Sequence, residues 1–432
     1  MRLFINIAAL SIALAAQAFP QTTAKPLSLK DCIRLAESAQ SSITTARQES
    51  AIAGYGVDRA RSAFLPQARM NNAFTYNSPQ LNNPDEISFV ALNGIREYNL
   101  QLTAVQDLDV SGRLRAGLAR ARADRDAATA TLNLSQRDLK RAVSASFYRV
   151  LLARHLVQSA EEALATSREF ENRTRLLFDK GEASHADVIK ASAEVAFLQQ
   201  TLSATQLDAE VANHDLASYW TDAVGEELPL EDALAQSPPT LESMLGTAGG
   251  SAEPRLYLNR PEFRLLDAQK RGFLADSRQA RANLLPQASV VFQYGIDSTH
   301  VRIADRGYAA FVNLDIPIFD WFNARNQSKQ SQLKAQQVDS TRAVAIRAYS
   351  KEYEDALARV KSMIRQVSVA ENQVKLSEEN LRISRIRYEG GEGLALEVVD
   401  AQNQLAQARS NYYSALAGCW NAKTDLEVAT GQ

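Results

Sequence analysis

The sequence contains few of the residues on which most enzymes and disulfide-linked secreted domains depend. Its 432 residues include two cysteines and four histidines, and the histidines are scattered along the chain. It contains no His-Glu-x-x-His, Gly-x-Ser-x-Gly or Walker pattern. The glycine-rich stretch at 390–393 lacks the Lys-Ser/Thr that completes a phosphate loop. We therefore expect no catalytic residue, no bound metal and no cofactor, and a chain that cannot energise transport by itself.

An excess of positive charge is also missing. The chain has 48 Lys and Arg residues against 50 Asp and Glu residues, which gives a formal net charge of −2. No run of basic residues is interleaved with aromatic side chains, as a nucleic-acid-binding surface would require. We therefore expect no nucleic-acid partner.

Long apolar runs are absent except at the N-terminus. Arg2 supplies a positive n-region, residues 4–16 form a short apolar core, and Ala16-Gln17-Ala18 fits the small-x-small rule for cleavage. The run is shorter than the ~20 residues that a membrane-spanning helix needs. The sequence therefore predicts a signal peptide over residues 1–18, an exported mature chain that starts at Phe19, and no transmembrane helix.

The two cysteines, Cys32 and Cys419, both lie outside the predicted cleavage site. An N-terminal lipid anchor is therefore not expected. An oxidising compartment would permit a disulfide between the two residues. We favour the alternative, two buried and unpaired thiols.

The chain repeats itself. Residues 387–401 recur as residues 177–191, which lie 210 positions earlier, and in both copies an aromatic residue, Gly-Glu, an acidic residue, Val and Ala keep the same spacing. Glycine that ends one helical pattern just before an Ala-rich helical pattern is typical of a tight helix-turn-helix. The stretch 65–68 also returns, as 285–288. We infer two copies of one unit of roughly 200 residues.

Two pairs of segments, within 66–106 and 286–317, change from helical periodicity to strict alternation. Each segment is roughly the ~9–11 residues of a membrane-spanning strand, with one apolar and one polar face. Aromatic residues stand at the strand ends, where a bilayer interface would place them: Phe74, Tyr76, Tyr98, Phe292, Tyr294 and Tyr308. A soluble sheet with one wet face is the alternative, and the export signal favours the membrane. Because four strands cannot close a barrel, the barrel must be shared, with two copies giving eight strands and three giving twelve.

After each strand pair the sequence predicts a very long helix, at 113–177 and 321–387, without a proline. Each could span roughly 100 Å. Apolar residues at seven-residue spacing mark coiled-coil seams on both helices: Val143, Val150, Val157 and Leu164 on the first, and Val367, Val374 and Leu381 on the second. Shorter helices are predicted at 29–64, 186–222, 260–285 and 395–428, stacked end to end beside the long ones.

The expected organisation is a signal peptide (1–18), a first repeat (19–222), an inter-repeat linker or equatorial region rich in Pro and Gly (223–258), and a second repeat (259–432). Each repeat contains a helix, a strand pair, a long helix, a glycine turn and a returning helix. The fold class that follows is mainly α with a membrane β-barrel.

Taken in order, these features resemble the outer-membrane efflux factors, the TolC-like channel family. The resemblance covers nearly all of the mature chain. It depends on the duplication, the strand pairs, the glycine turns, and Pro317-Ile318-Phe319-Asp320 before the second long helix, with a weaker counterpart at 107–112. It implies a homotrimer in which a twelve-stranded β-barrel lies in the outer membrane among its lipids and a trimeric α-helical barrel crosses the periplasm.

The resemblance also implies a function. The chain would be the passive exit duct of a tripartite efflux or type I secretion system. An inner-membrane transporter would energise it through a periplasmic adaptor, also called a membrane fusion protein. Drugs, metal ions, siderophores and proteins all leave through such ducts, and selection lies mostly in the pump.

In that family the second turn is the inner end of the tunnel, where an aromatic residue and two acids form a gate. The matching residues are Tyr388, Glu397 and Asp400, and Phe178 and Asp187 are the counterparts in the first copy. Three copies of each acid around one axis would repel anions, bind multivalent cations and make conductance depend on pH. The residues expected to contact the adaptor are Gly181, Glu182, Gly391 and Glu392. Gly393 departs from the family, which has a basic residue there, and Arg385, Arg387 or Lys190 are candidates to replace it.

A second function class stays open at this point. A secreted trimeric coiled-coil structural or adhesin-type protein without a pore would also need long helices and an export signal. Such a protein would not need duplicated strand pairs with an apolar face, nor hairpin turns that interrupt its seams. The strands therefore favour the channel.

Overall fold

The structure, a computed structural model, describes residues 26–39, 42–78, 96–235 and 256–431. The signal peptide expected over 1–18 lies outside these residues, as do most of the loop between the first two strands and residues 236–255 of the expected linker. The described part is mostly helical and contains one four-stranded sheet.

The two halves of the chain show the same order of elements. The first contains α1 (Leu29–Ser38), α2 (Ser42–Ser62), β1 (Gln67–Tyr76), β2 (Arg96–Leu108), α3 (Arg113–Asp179) and α4 (His185–Ala217). The second contains α5 (Pro261–Ala282), β3 (Gln287–Ser298), β4 (Arg306–Asp315), α6 (Asn323–Glu389) and α7 (Ala395–Thr430), with short 3-10 turns at Leu256–Asn259 and Ile303–Asp305. The internal duplication is therefore confirmed, while the exact limits of the repeats stay a prediction.

The long helices α3 and α6 have 67 residues each, so each extends roughly 100 Å. Neither contains proline, whose missing N–H would interrupt the hydrogen-bond ladder. The predicted seam is largely buried: Val143 and Val150 are fully buried, Leu164 nearly so, and Val367 and Leu381 are buried on α6.

The shorter helices lie along successive stretches of the long ones. α2 and α4 both pack against α3, and α5 and α7 both pack against α6, as the helix lengths predict. The halves are also joined, because α3 contacts α5 and α7. At one such contact Arg120 of α3 lies 2.5 Å from Asp276 of α5.

The largest hydrophobic cluster lies midway along the helices, where elements of both halves meet. Phe147, Val360, Leu216 and Leu416 are almost completely inaccessible there. Beside this cluster a short parallel bridge joins Leu27 to Leu230. Described residues of the Pro- and Gly-rich stretch therefore lie against the helices at this level, while the predicted equatorial region and its limits stay a prediction.

The sheet has the order β1-β2-β3-β4, and all three pairings are antiparallel. Its register places apolar residues opposite apolar ones, as for Ala104 and Phe292, and polar residues opposite polar ones, as for Thr103 and Gln293. The middle pairing joins the two halves of the chain. β1 and β4 are the outer strands, and each has one edge that no other strand of the described part pairs with.

The structure corrects three expectations about helix limits. The helix expected over 29–64 is interrupted, because α1 ends at Ser38 and Ala39 is extended with ψ 163°. Serine competes with helical hydrogen bonding here, since the Ser38 hydroxyl donates to the Leu35 carbonyl at 2.9 Å. The helix expected to run to 222 ends at Ala217. Trp321, expected to start the second long helix, precedes it and has φ 54°.

Within the described ranges, none of the helices is both long enough and apolar enough to cross a bilayer. Cys32 and Cys419 are both buried and free, as favoured. Burial raises the pKa of Cys32 to about 11, with a further contribution from the charge of Asp31. Burial also raises the pKa of Cys419.

Candidate functional site at the paired helical turns

The two glycine turns share one backbone design. In the first, the Gly181 N–H donates to the Phe178 carbonyl at 2.8 Å and the Glu182 N–H donates to the Leu177 carbonyl at 2.8 Å. The second turn repeats both bonds 210 positions later, at 3.1 and 2.9 Å. Gly181 and Gly391 have φ 79° and 75°, the left-handed conformation that such helix ends require. All four residues expected to contact an adaptor are exposed at these turns.

Gly393, where the resemblance leads us to expect a basic residue, lies in a crowded position. A Cβ there would lie 3.0 Å from the Tyr388 amide nitrogen and 3.2 Å from the carbonyl carbon of Arg387. Its own N–H donates to the Arg387 carbonyl at 3.0 Å. The tight backbone turn therefore favours glycine here, and a side chain that ties the helices together must come from another position.

The returning helices begin differently after the two turns. Ser184 caps α4: its hydroxyl accepts from the Asp187 N–H at 3.2 Å, and the Asp187 carboxylate accepts from the Ser184 N–H at 3.2 Å. The Asp187 carboxylate is therefore engaged in a capping box. In α7 the capping position is Leu394, which has no side-chain acceptor.

Glu397, the counterpart of Asp187, is consequently free for another partner. Arg387, at the end of α6, lies 3.1 Å from its carboxylate, and the same guanidinium donates to the Glu392 carbonyl at 3.4 Å. Of the three basic residues expected as candidates to connect the helices (Arg385, Arg387 and Lys190), Arg387 forms an ion pair across the second turn. Both side chains are about half exposed.

The two aromatic residues at equivalent positions have different environments. Tyr388 is 9% exposed. Its ring centre lies 5.2 Å from that of Phe170, and its hydroxyl donates to Thr174 Oγ1 at 3.4 Å. Phe178 is 39% exposed, and its ring lies 5.6 Å from His185. Tyr388 therefore fastens the second turn to α3, whereas Phe178 remains on the surface of the chain.

Asp400 is exposed on α7, one turn beyond Glu397. The structure adds Glu194 of α4, which sequence reasoning missed. Burial raises the pKa of the Glu194 carboxyl; a hydrogen bond with Asn403 opposes this shift, and the charge of Asp400 adds to it. Glu194 lies seven residues after Asp187 and therefore on the same side of α4, a spacing that could have indicated it.

Arg409 of α7 is a second residue that the sequence did not reveal. Its guanidinium contacts Glu162 of α3 and lies 3.1 Å from Glu378 of α6. One side chain thus connects three helices from both halves of the chain. Further polar ties are a 2.7 Å bond from Ser192 to Glu171, and Arg173 at 3.9 Å from Glu389.

A groove of about 300 Å³ lies between α3 and α6 beside the second turn. It is lined by Glu169, Phe170, Asn172, Arg173, Leu176, Arg385, Tyr388 and Glu389. One nitrogen of Arg385 is buried there without a hydrogen-bond partner among the described residues. No group of three or more His, Cys, Asp or Glu side chains in the described part is arranged to hold a metal ion.

Comparison with known proteins supports the architecture. A sequence model of the outer membrane efflux protein family matches residues 32–221 and 254–432. The cobalt-zinc-cadmium resistance protein CzcC of Cupriavidus metallidurans is 24% identical over 435 residues, which cover 96% of this chain and 92% of CzcC. The cation efflux system protein CusC of Escherichia coli O157:H7 is 26% identical over 380 residues, which cover 82% of this chain and 80% of CusC.

The fold also matches a solved channel. The open state of the Neisseria gonorrhoeae MtrE outer membrane channel aligns with a TM-score of 0.77 at 22% identity, covering 93% of this chain and 88% of MtrE. The predicted fold class is thereby confirmed. The expectation of an efflux channel of the outer membrane is confirmed by the family match, and nothing found supports the pore-less adhesin. The family and its solved neighbours are channel proteins rather than enzymes, and the chain belongs to the outer membrane efflux protein family.

Proposed function

We propose that three copies of this chain form a passive exit duct, which an inner-membrane transporter fills through a periplasmic adaptor. The observation that carries the proposal is the four-stranded sheet, whose two outer edges are unpaired among the residues that the structure describes. A sheet exposed to lipid cannot keep an open edge, so β1 of one copy must pair with β4 of the next. Two copies would give eight strands, whose interior is just filled by side chains, whereas three give twelve and an open lumen.

The stoichiometry can be tested by crosslinking across the outer strands. Met70 of β1 and Val312 of β4 are both 68% exposed, and the native cysteines are buried. With Met70→Cys/Val312→Cys, a flexible thiol crosslinker should yield covalent dimers and trimers and nothing larger. The single variants are matched controls and should give no ladder. Products that stop at dimers, or continue past trimers, would contradict three copies.

The inner end of the duct is closed at the second turn. Glu397 and Asp400 from three chains form an acidic constriction, supported by the exposure of Asp400 and by the absence of a cap that would engage Glu397. Asp187 and Phe178 form the corresponding part of the first turn, where the capping box restrains Asp187. Tyr388 contributes by holding α6 against α3. The substrate is chosen by the pump, because the duct provides no energy and only a general preference for cations.

The gate is tested by single-channel conductance of the purified mature protein in a planar bilayer. Wild type should give small cation-selective currents that multivalent cations block. In Glu397→Ala/Asp400→Ala the selectivity and the block should weaken. Unchanged currents would support the channel but would show that Glu397 and Asp400 are not part of its gate. A folded trimer that conducts no current would contradict the duct itself.

The adaptor binds at the exposed turns, which include Gly181, Glu182, Gly391 and Glu392, and at the groove beside them. A photo-crosslinking residue at Glu182 or Glu392 should capture the adaptor in cells, while one at the mid-helix position Lys361 should not. Capture from the control position alone would place the docking surface elsewhere.

A further inference from the structure

The two junctions between strand and long helix occupy equivalent positions and differ in chemistry. Before α3, the residue at the helix N-cap is Gly112 with φ 79°, and the Ser111 hydroxyl donates to Gln287 at 3.0 Å. Before α6, the corresponding residues are Trp321 and Phe322, with φ 54° and 62°. Two consecutive bulky residues therefore adopt a conformation that glycine adopts without strain.

The strained residues remain mostly exposed in the described part of the chain. Trp321 is 82% exposed and Phe322 59% exposed. Phe319, 62% exposed, is the ring they contact, with centres 4.7 Å and 6.2 Å away. Backbone strain persists only where something offsets it, and three exposed aromatic rings side by side indicate a surface that is covered in the assembled protein.

The position of this aromatic cluster (Phe319, Trp321 and Phe322) indicates what covers it. The exposed apolar face of β4 contains Tyr308, Ala310, Val312 and Leu314, and it continues past the strand end through Ile316 and Ile318. In the proposed duct this face contacts lipid. The cluster therefore lies at the helix end of a lipid-facing strand, where the inner-leaflet interface begins. Tryptophan is enriched at this depth because its ring is apolar and its N–H is polar.

The charges beside the cluster are complementary to a phospholipid surface. Arg325 and Lys329, on the first two turns of α6, are exposed, and neither has an ion-pair partner among the described residues. Asp320, the nearest acid in the sequence, caps the helix, since its carboxylate accepts from the Ala324 N–H at 2.8 Å. Unpaired basic residues four positions apart suit phosphate groups, whereas an interface with another protein chain tends to exclude lysine.

We propose that the aromatic cluster, with Arg325 and Lys329, forms an interfacial anchor that binds the anionic phospholipid surface at the periplasmic side of the outer membrane. The anchor rests on the proposed barrel, and the strain at Trp321 and Phe322 aims the rings outward into the interface. Three copies place three such anchors around the duct at the level where the β-barrel continues into helices. Their role is to fix the depth and tilt of the long helical tunnel.

The anchor can be tested with the fluorescence of Trp321 in the full-length trimer. In Trp220→Phe/Trp420→Phe, Trp321 is the single tryptophan. The protein is reconstituted into vesicles of phosphatidylethanolamine and phosphatidylglycerol containing phosphatidylcholine brominated either near the headgroup or deep in the acyl chain. Emission should be quenched, and quenched more by the shallow bromines. Absence of Trp321 quenching in an intact trimer would overturn the anchor.

A second variant separates failure of the anchor from failure of the duct. It carries Val312→Trp together with Trp220→Phe, Trp321→Phe and Trp420→Phe, which places the single tryptophan in the middle of β4. If the deep bromines quench this residue while Trp321 is not quenched at all, the result supports the barrel and contradicts the anchor. If neither is quenched, the barrel assignment fails. Should either variant form no trimer, a spin label at Trp321→Cys in the otherwise native chain provides the same depth measurement.

Charge recognition is tested with Arg325→Gln/Lys329→Gln. The wild-type protein should insert faster into vesicles containing phosphatidylglycerol than into pure phosphatidylcholine, and the double variant should lose that difference. Lys361→Gln is the matched control, roughly 50 Å further along the same helix, and should keep it. An equal preference in all three proteins would remove the basic residues from the anchor.

Discussion

The two turns at the ends of α3 and α6 have the same backbone and different side-chain ties. The first is closed locally: Ser184 and Asp187 cap the next helix, and Phe178 stays on the surface. The second is closed through tertiary contacts: Tyr388 is buried against α3, and Arg387 holds Glu397. A duplicated hairpin has thus become one rigid turn and one whose stability depends on its neighbours.

The difference suits a gate. A turn held by its own cap keeps its shape when adjacent helices move, because the bonds lie within four residues. A turn held by a buried ring and an exposed ion pair changes when those contacts change. We therefore expect movement at the inner end to occur mainly at the second turn. The following predictions would break or sharpen this contrast, from the largest effect to the smallest.

Removing the aromatic rings should produce the largest difference between the turns. Tyr388→Ala should lower the free energy of unfolding by about 3 kcal/mol, since it deletes a buried aromatic side chain. Phe178→Ala, at the half-exposed counterpart, should cost about 0.5 kcal/mol. Thermal and urea unfolding in detergent, followed by circular dichroism, measures both. Equal losses would show that burial in the single chain does not describe the assembled turns.

Removing acidic side chains should weaken cation block of the channel more at the second turn than at the first. Glu397→Ala/Asp400→Ala should weaken block by a trivalent cation on the order of tenfold or more, because the ring loses its charges at close range. Asp187→Asn leaves the second turn intact and should change the block little. The concentration of trivalent cation that blocks half of the current, measured in planar bilayers for each variant, compares the two turns. A larger effect at Asp187 would place the constriction at the first turn.

Much of this contrast could not be predicted from the sequence, although the elements could. Both turns could be predicted from the glycine positions, the long helices from the absence of proline, and all four strands from the alternation of apolar and polar residues. These signals are local in the sequence. The local sequence pattern could not predict that Tyr388 is buried, because Phe178 has the same position in the equivalent pattern of the first copy and is exposed. Which ring turns inward depends on how α6 is rotated against α3, a tertiary property.

The missed residues have the same explanation. Arg409 and Glu162 are 247 positions apart, and no local pattern predicts which of many exposed charges will meet across helices. Glu194 appears as an ordinary surface acid until α7 is placed beside it. The sequence predicts a helix at Trp321 and Phe322, because neither residue signals a left-handed turn as glycine does.

The cap of the first turn should contribute a moderate amount. Ser184→Ala removes the acceptor for the Asp187 N–H and should lower stability by about 1 kcal/mol. The matched change in the second turn is Leu394→Ser, which supplies an acceptor where there is none and should be neutral or stabilising. Unfolding midpoints of the two variants measure this. If Ser184→Ala is neutral, the first turn is not closed by its own cap.

Glu194 should make stability depend on pH. Its pKa is raised in the folded chain by burial, with a further contribution from Asp400, so the folded state binds its proton more tightly than the unfolded state does. The stabilisation is complete below the unfolded pKa and is lost as pH rises through the folded pKa. Glu194→Gln should flatten this part of the stability profile, and Glu161→Gln, at an exposed position of α3, serves as a control. A profile that Glu194→Gln leaves unchanged would mean that the carboxyl is solvated.

The smallest loss of stability is expected from removing the Arg387–Glu397 ion pair. A contact that holds a gate closed has to be weak enough to break when the gate opens. Both side chains are about half exposed, so the pair should stabilise the turn by less than about 1 kcal/mol, and salt should screen it. Arg387→Gln should therefore cost little at low salt and nothing measurable at high salt. It should nevertheless raise the frequency of channel opening, because a tie that must break repeatedly has to be weak. A stability loss as large as that of Tyr388→Ala would show that the pair is desolvated in the trimer, and the second turn would then be a permanent closure instead of a gate.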